Sequence, residues 1–153
     1  ILINANRNLD DYRALGVEVV PDTLDGYLGP LAGLASAMPA ARTPYLVSVP
    51  CDSPLLAPDL VARLYDALAR ADADIAMAHD GGRAHPVFAL LKRDLLDSLR
   101  NYLMGGGRKV DLWFAQHRLA TAYFPDRLDA FVNVNDPAEH AAVEARFEDS
   151  ASC

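Results

Sequence analysis

Short apolar runs that end in Asn, Asp or Pro alternate along this chain with longer stretches whose apolar positions recur at helical spacing. The short runs predict strands at Ile1–Asn4, at Val17–Val20 before Pro21, and at Tyr45–Val49 before Pro50. Two more are expected at Asp74–His79 and Pro86–Leu91 around the turn Asp80-Gly81-Gly82-Arg83, another at Leu119–Phe124, and a short one at Ala130–Val134. Helices are expected at Leu9–Leu15, stopped by Gly16, and at Pro30–Met38, where Pro30 suits the first turn. The stretch Pro58–Arg70 carries Leu60, Val61, Leu64 and Leu68 on one helical face. Further helices are expected at Arg93–Leu103, stopped by Gly105-Gly106-Gly107, at Lys109–His117 and at Pro137–Phe147. Asp22 to Gly29 reads as a turn-rich loop.

Strands alternating with helices predict an α/β fold of three layers, a mainly parallel sheet with helices on both faces and right-handed crossovers. The 153 residues suffice for one core, with no repeat, linker or low-complexity stretch. One domain over residues 1–149 with a disordered tail at 150–153 is therefore expected. The chain opens inside an apolar run and without methionine, which suggests a trimmed chain.

Composition narrows the function. A net charge of −7 and a pI near 4.9 disfavour sequence-independent nucleic-acid binding, which depends on Lys and Arg neutralising phosphates. A phosphate ligand remains open, with a divalent cation supplying the positive charge. Two cysteines, Cys51 and Cys153, show no metal-binding spacing and fit a reducing, cytoplasmic compartment. No apolar run reaches membrane-spanning length, and nothing resembles a signal peptide.

In open α/β sheets, ligands bind beyond the carboxyl ends of the strands. That rule selects Asn4, Asp22, Asp52 and, around the last apolar run, Asn133 and Asn135. Taken singly, each has an ordinary reading as a turn former or helix cap. Asp52 is the sharpest, an acid within Pro50-Cys51-Asp52-Ser53-Pro54 directly after a buried strand. Flanking prolines fix the local backbone, and a rigid carboxylate suits Mg²⁺, which pairs one or two carboxylates with substrate phosphates. Gly29-Pro30-Leu31-Ala32-Gly33 runs into a helix start, where free N–H groups attract anions, although a plain helix start fits equally well. Gly33 would permit either close packing or close ligand approach.

Gly105-Gly106-Gly107-Arg108-Lys109 follows a helix and does not have phosphate-loop spacing, so it reads as a helix stop whose Arg108 and Lys109 could meet an anion. The four histidines show no zinc spacing. His85, opening a strand, reads as a satisfied structural histidine in preference to a lining of the crevice. Cys51 would be a poor nucleophile, because the neighbouring Asp52 carboxylate raises a thiol pKa.

Taken in order, Asn4-Ala5-Asn6-Arg7, Asp22, Gly29–Gly33, Pro50–Pro54, His85–Leu90, Arg108-Lys109-Val110 and Asn133-Val134-Asn135-Asp136-Pro137 resemble the molybdenum cofactor guanylyltransferases over nearly the whole chain. The resemblance implies a nucleotide-diphospho-sugar transferase fold and transfer of GMP from GTP to Mo-molybdopterin, with pyrophosphate released. It implies nucleotide contacts at Asn4, Asp22, Gly29 and Gly33, GTP and Mg²⁺ at Asp52, a catalytic role and second metal contact for Asn135, and substrate contacts at Asn133 and Arg108. Molybdoenzyme chaperones or other cofactor-biosynthesis proteins are the implied partners, with no membrane or nucleic acid among them. The family's opening loop, of the form L-A-G-G-x-x-x-R-M-G-G-x-D-K, has no counterpart in these residues. The 153 residues alone are therefore expected to be inactive. The alternatives are a cytidylyltransferase or sugar-nucleotide pyrophosphorylase of the same fold, or a non-catalytic relative that binds molybdopterin or a chaperone.

Overall fold

A computed structural model describes residues 1–23 and 29–151, with backbone alone over 146–151. Most of the predicted loop from Asp22 to Gly29, and Cys153, lie outside the described residues. The strands are β1 (Leu2–Asn4), β2 (Glu18–Val20), β3 (Tyr45–Ser48), β4 (Ile75–His79), β5 (Ala84–Lys92) and β6 (Leu119–Tyr123). The helices are α1 (Leu9–Arg13), α2 (Pro30–Ala37), α3 (Leu60–Arg70), α4 (Leu96–Met104), α5 (Val110–Phe114) and α6 (Pro137–Ala151). The expected strand–helix alternation is present, and the class is α/β.

β1 and β2 pair in parallel as a sheet of two, and the other strands form a sheet ordered β3-β5-β4-β6. Here β5 runs antiparallel to both neighbours, while β4 and β6 are parallel, so the larger sheet is mixed where a mainly parallel one was expected. The reason is local. A tight turn can join only antiparallel neighbours, and Asp80–Arg83 is such a turn. Gly81 adopts φ +100°, which side-chain-bearing residues rarely take, and the Asp80 carboxylate accepts the N–H groups of Gly82 and Arg83, each at 2.7 Å.

Alternation along the strands builds a core on each face. Ala76, Ala78, Phe88 and Leu90 face α3, whose Leu60, Leu64 and Leu68 are buried with Phe124 and Phe131. Ile75, Ala89 and Leu91 face the opposite way, against Leu31 and Met38, Leu99 and Leu103 of α4, and Trp113 and Phe114 of α5.

Several predicted elements differ. The stretch Ala130–Val134 is not a strand: a 3-10 turn spans Leu128–Phe131, and the chain then runs on extended, outside any ladder. Its apolar residues do not alternate inward, since the neighbours Ala130 and Phe131 are both buried and Val132 is exposed. The helix expected at Arg93 begins as a 3-10 turn over Arg93–Leu95, and α5 ends at Phe114, short of the expected His117. α6 runs past the expected Phe147 to Ala151. Its start is capped by Asp136, whose carboxylate accepts the N–H groups of Ala138 and Glu139 at 2.8 and 2.9 Å.

Candidate functional site

Strand directions decide which residues share an edge. Because β5 opposes both β3 and β4, and β6 follows β4, the carboxyl ends of β3, β4 and β6 lie at one edge with the start of β5. That edge carries Asp52, Asp80, His85 and Asp126. At the opposite edge, Asp74 accepts from Arg118 (2.8 and 3.0 Å) and Lys92 (2.9 Å). The Arg118 guanidinium, then Lys92, hold the Asp74 carboxyl well below the usual carboxylate range. This cluster staples the strand beginnings and is structural.

At the functional edge, Pro50-Cys51-Asp52-Ser53-Pro54 leaves β3 and is tied to the segment before α6. Val134 N–H donates to the Asp52 carbonyl at 2.7 Å. The buried Ser53 hydroxyl donates to Asn133 Oδ1 at 3.0 Å. Asp52 Oδ1 is buried and has no hydrogen-bond partner among the described residues. An unpartnered buried acceptor costs about 1–3 kcal/mol, more when charged, so this atom is suited to meet a cation or a donor. Alongside lies a cleft of about 250 Å³, lined by Cys51, Asp52, Pro54, Val134, His140, Val143 and Glu144. Among the described residues no group of three or more His, Cys, Asp or Glu is placed to hold a metal. The oxygen of Asp52 therefore fits Mg²⁺ only in the mode where substrate phosphates complete the shell.

A second group sits at the ends of β1 and β2. Asn4 Nδ2 donates to Val20 O at 3.0 Å and to Asp22 Oδ1 at 2.9 Å. Asn6 Nδ2 donates to Asp22 Oδ2 at 2.9 Å, and Asp22 N–H donates to Asn6 Oδ1 at 2.8 Å. Asn4 also lies against Gly33 in α2, where a Cβ would come 3.0 Å from Asn4 Cγ. Close packing thus accounts for the glycine. Gly29 precedes α2 with φ +71°, the left-handed region that favours glycine. Thr23 is tied to α2 through the buried Ser36, whose hydroxyl accepts from Thr23 N–H at 2.9 Å and donates to Ala32 O at 2.9 Å.

The sequence-selected residues therefore fall into two groups, Asn4, Asp22, Gly29 and Gly33 around α2 and Asp52 with Asn133 at β3. Among the described residues no hydrogen bond joins these groups. Asn135 is exposed, and its N–H donates to Glu139 Oε2 at 2.7 Å as part of the α6 cap. The Arg108 guanidinium donates to the carbonyls of Leu103 (2.8 Å) and Gly107 (2.5 Å), so it closes the end of α4. Asn6, Ser36 and Ser53 were given no role from sequence. Asn6 repeats Asn4 two positions on, which was a usable signal; a buried serine between prolines gives none.

Arg63 adds a further device at this edge. It meets Asp126 through paired bonds of 2.6 and 2.7 Å, donates to Asp59 at 2.7 Å, and lies 5.0 Å above the Phe124 ring. The guanidinium lowers the Asp126 carboxyl to about 2.

A family model described as the MobA-like NTP transferase domain matches residues 1–120. The chain belongs to this family. Among its MobA-like relatives, a molybdenum cofactor guanylyltransferase of Shewanella sediminis is 50% identical over 139 residues, 91% of this chain and 71% of that protein. One from Shewanella sp. (strain MR-4) is 49% identical over 150 residues, covering 98% and 76%. The crystal structure of molybdopterin-guanine dinucleotide biosynthesis protein A from Archaeoglobus fulgidus superposes with a TM-score of 0.74 at 19% identity, over 97% of this chain and 78% of that one. A protein of Aquifex aeolicus gives the same TM-score at 18% identity, covering 88% and 70%. At such identities these two show the shared MobA-like fold.

Proposed function

We propose that this protein transfers GMP from GTP to Mo-molybdopterin, forming the guanine dinucleotide cofactor and releasing pyrophosphate. The observation that carries the reading is the buried, unpartnered Asp52 Oδ1 at the end of β3, in a chain half identical to proteins named molybdenum cofactor guanylyltransferases.

The chemistry needs positioning and charge neutralisation more than a covalent intermediate. An oxygen of the molybdopterin phosphate attacks the α-phosphorus of GTP, and the bond from that phosphorus to the bridging oxygen of pyrophosphate breaks. The attacking phosphate is already an anion, so no side chain must remove a proton. Asp52 would hold Mg²⁺, which when bound would supply positive charge to offset that developing on the phosphates. Val134 and Ser53 keep the Asp52 loop fixed against the segment that carries Asn133 and Asn135. Asn135 would give a second contact to that cation, and Asn133 is assigned to substrate. Asn4, Asp22 and Gly29 are assigned to the nucleotide, with Asn6 holding Asp22 in place and Gly33 letting Asn4 pack on α2. Arg108, committed to the end of α4, would reach substrate only by leaving its carbonyl partners.

Among the described residues no helix is long and apolar enough to cross a membrane. The reading assigns the reaction to the cytoplasm, with hand-over of the dinucleotide product to a molybdoenzyme chaperone. The assay uses the full protein. Purified protein is given Mg-GTP and Mo-molybdopterin, and pyrophosphate and dinucleotide are followed, with CTP as the competing substrate. Dinucleotide formation from GTP that vanishes in Asp52→Ala is expected. Preference for CTP, or undiminished turnover in the variant, overturns the assignment.

A further inference from the structure

The unpartnered carboxylate of Asp52 is useful only if its loop is held still, and the bonds that hold it come from the segment Asn133–Val134. That segment belongs to no ladder. What fixes it lies just upstream, in a group of residues to which the reaction assigns no role.

Phe131 is the anchor. It is buried, with ring contacts to Phe88 (5.0 Å, 80°) and Phe124 (5.5 Å, 72°) in edge-to-face geometry. Its exposed flank is covered by His85, whose ring stacks on it at 4.4 Å and 14°. His85 is itself buried at the start of β5 and is gripped at the far end: its Nε2 lies 2.8 Å from Asp80 Oδ2. Asp80 is ionised, held well below the usual carboxylate range by the Arg83 backbone N–H first and then by His85. An ionised carboxylate only accepts, so Nε2 carries the proton and the ring orientation is fixed. The chain of contacts thus runs from the hairpin turn through Asp80, His85 and Phe131 into Asn133 and Val134, and from these to Ser53 and the Asp52 carbonyl.

We infer that His85 is a positioning residue of this site: clamped by Asp80 and stacked on Phe131, it sets the segment that aims Asp52. A histidine serves here better than another flat ring. Phenylalanine would stack but could not be tethered, and would leave the plane free to slide with the loop beyond it. The Asp80–His85 pair joins an orienting carboxylate to a residue whose own face touches structure leading to the ligand. His85 acts on Asp52 only through Phe131 and the Asn133–Val134 segment, and residues without direct contact to a ligand change its binding by about twofold to thirtyfold.

This inference rests on Asp52 being the cation ligand, and the experiment separates the two. The gene-encoded protein and its His85→Phe, His85→Gln and Asp80→Asn variants are compared with Asp52→Ala. Calorimetric titration with Mg-GTP, the Mg²⁺ concentration for half-maximal dinucleotide formation, and the melting temperature are read for each. His85→Phe should keep a cooperative melt while weakening Mg-GTP binding and raising half-saturating Mg²⁺ about threefold or more. His85→Gln, which retains a donor for Asp80, should recover part of that loss. Combining His85→Phe with Ser53→Ala should give less than the product of the single effects, because both release one segment. Variants that melt lower but bind and use Mg²⁺ as wild type does, or effects that simply multiply, would make His85 a packing residue and overturn the inference. If Asp52→Ala itself leaves Mg²⁺ dependence unchanged, the assignment of the cation to Asp52 fails first.

Discussion

The carboxamide of Asn4 occupies the space a side chain on Gly33 would need: a Cβ there would stand 3.0 Å from Asn4 Cγ and nearer still to its Oδ1. The end of β1 is thereby pressed onto α2, and the same carboxamide bridges to Asp22. Gly33 is buried in mid-helix, where alanine would ordinarily be preferred by about 1 kcal/mol. Here the steric cost of overpacking, about 1–3 kcal/mol, outweighs that gain.

Gly33→Ala should therefore destabilise the protein and displace Asn4 from Asp22. Urea unfolding would show a lower midpoint at unchanged slope, and GTP titration a weaker affinity. A more stable variant with normal GTP binding would show that Asn4 yields freely and that the close approach has no role.

Replacing Asp52 with Asn should abolish transfer without loss of stability. The substitution removes a charge whose buried oxygen has no partner, so the cation-free protein should melt at the same temperature or higher. A large fall in the melting temperature would mean that the carboxylate has a structural partner instead.

Acid should weaken the β6–α3 contact in a defined window. Asp126 ionises near 3.9 when unfolded and at about 2 when folded beside Arg63. Its stabilisation is complete above the unfolded value and is lost as pH falls from about 4 towards 2. Asp126→Asn should flatten the loss of stability across that interval, measured by thermal melts at stepped pH. An unchanged slope would assign the acid sensitivity elsewhere. The pair is half exposed, so raised salt should also shrink the effect.

Single-chain periodicity made much of this legible. The strand ends that carry Asn4, Asp22 and Asp52 follow from apolar runs closed by polar residues, and α3 from the recurrence of Leu60, Leu64 and Leu68. Val61, on the same expected stripe, is exposed because the sheet contacts only a narrow face of that helix. The direction of β5 was written in the Asp80–Arg83 turn but masked by the general expectation of a parallel sheet. The last segment misled for a different reason: Ala130, Phe131, Val132 and Val134 have strand-like composition, yet Phe131 is fixed by rings distant in sequence. The two readings of Gly33 were separable only once the position of Asn4 in space was known. Ser53 gave no signal at all, because its partner Asn133 lies 80 residues away.

The reversed course of β5 also bears on the order in which the molecule assembles. β3 emerges from synthesis well before the only strand it pairs with among the described residues, since Tyr45 is matched to Lys92 and Ser48 to Ala89. The hairpin of β4 and β5, by contrast, closes locally and early. A nascent chain that has reached Arg70 thus holds an apolar strand whose partner among the described residues is still to be made, and closure over so long a separation is slow. The loop bearing Asp52 takes its final shape only after both β5 and, further on, Asn133 and Val134 have arrived, so the Asp52 carboxylate is among the last features of the fold to mature.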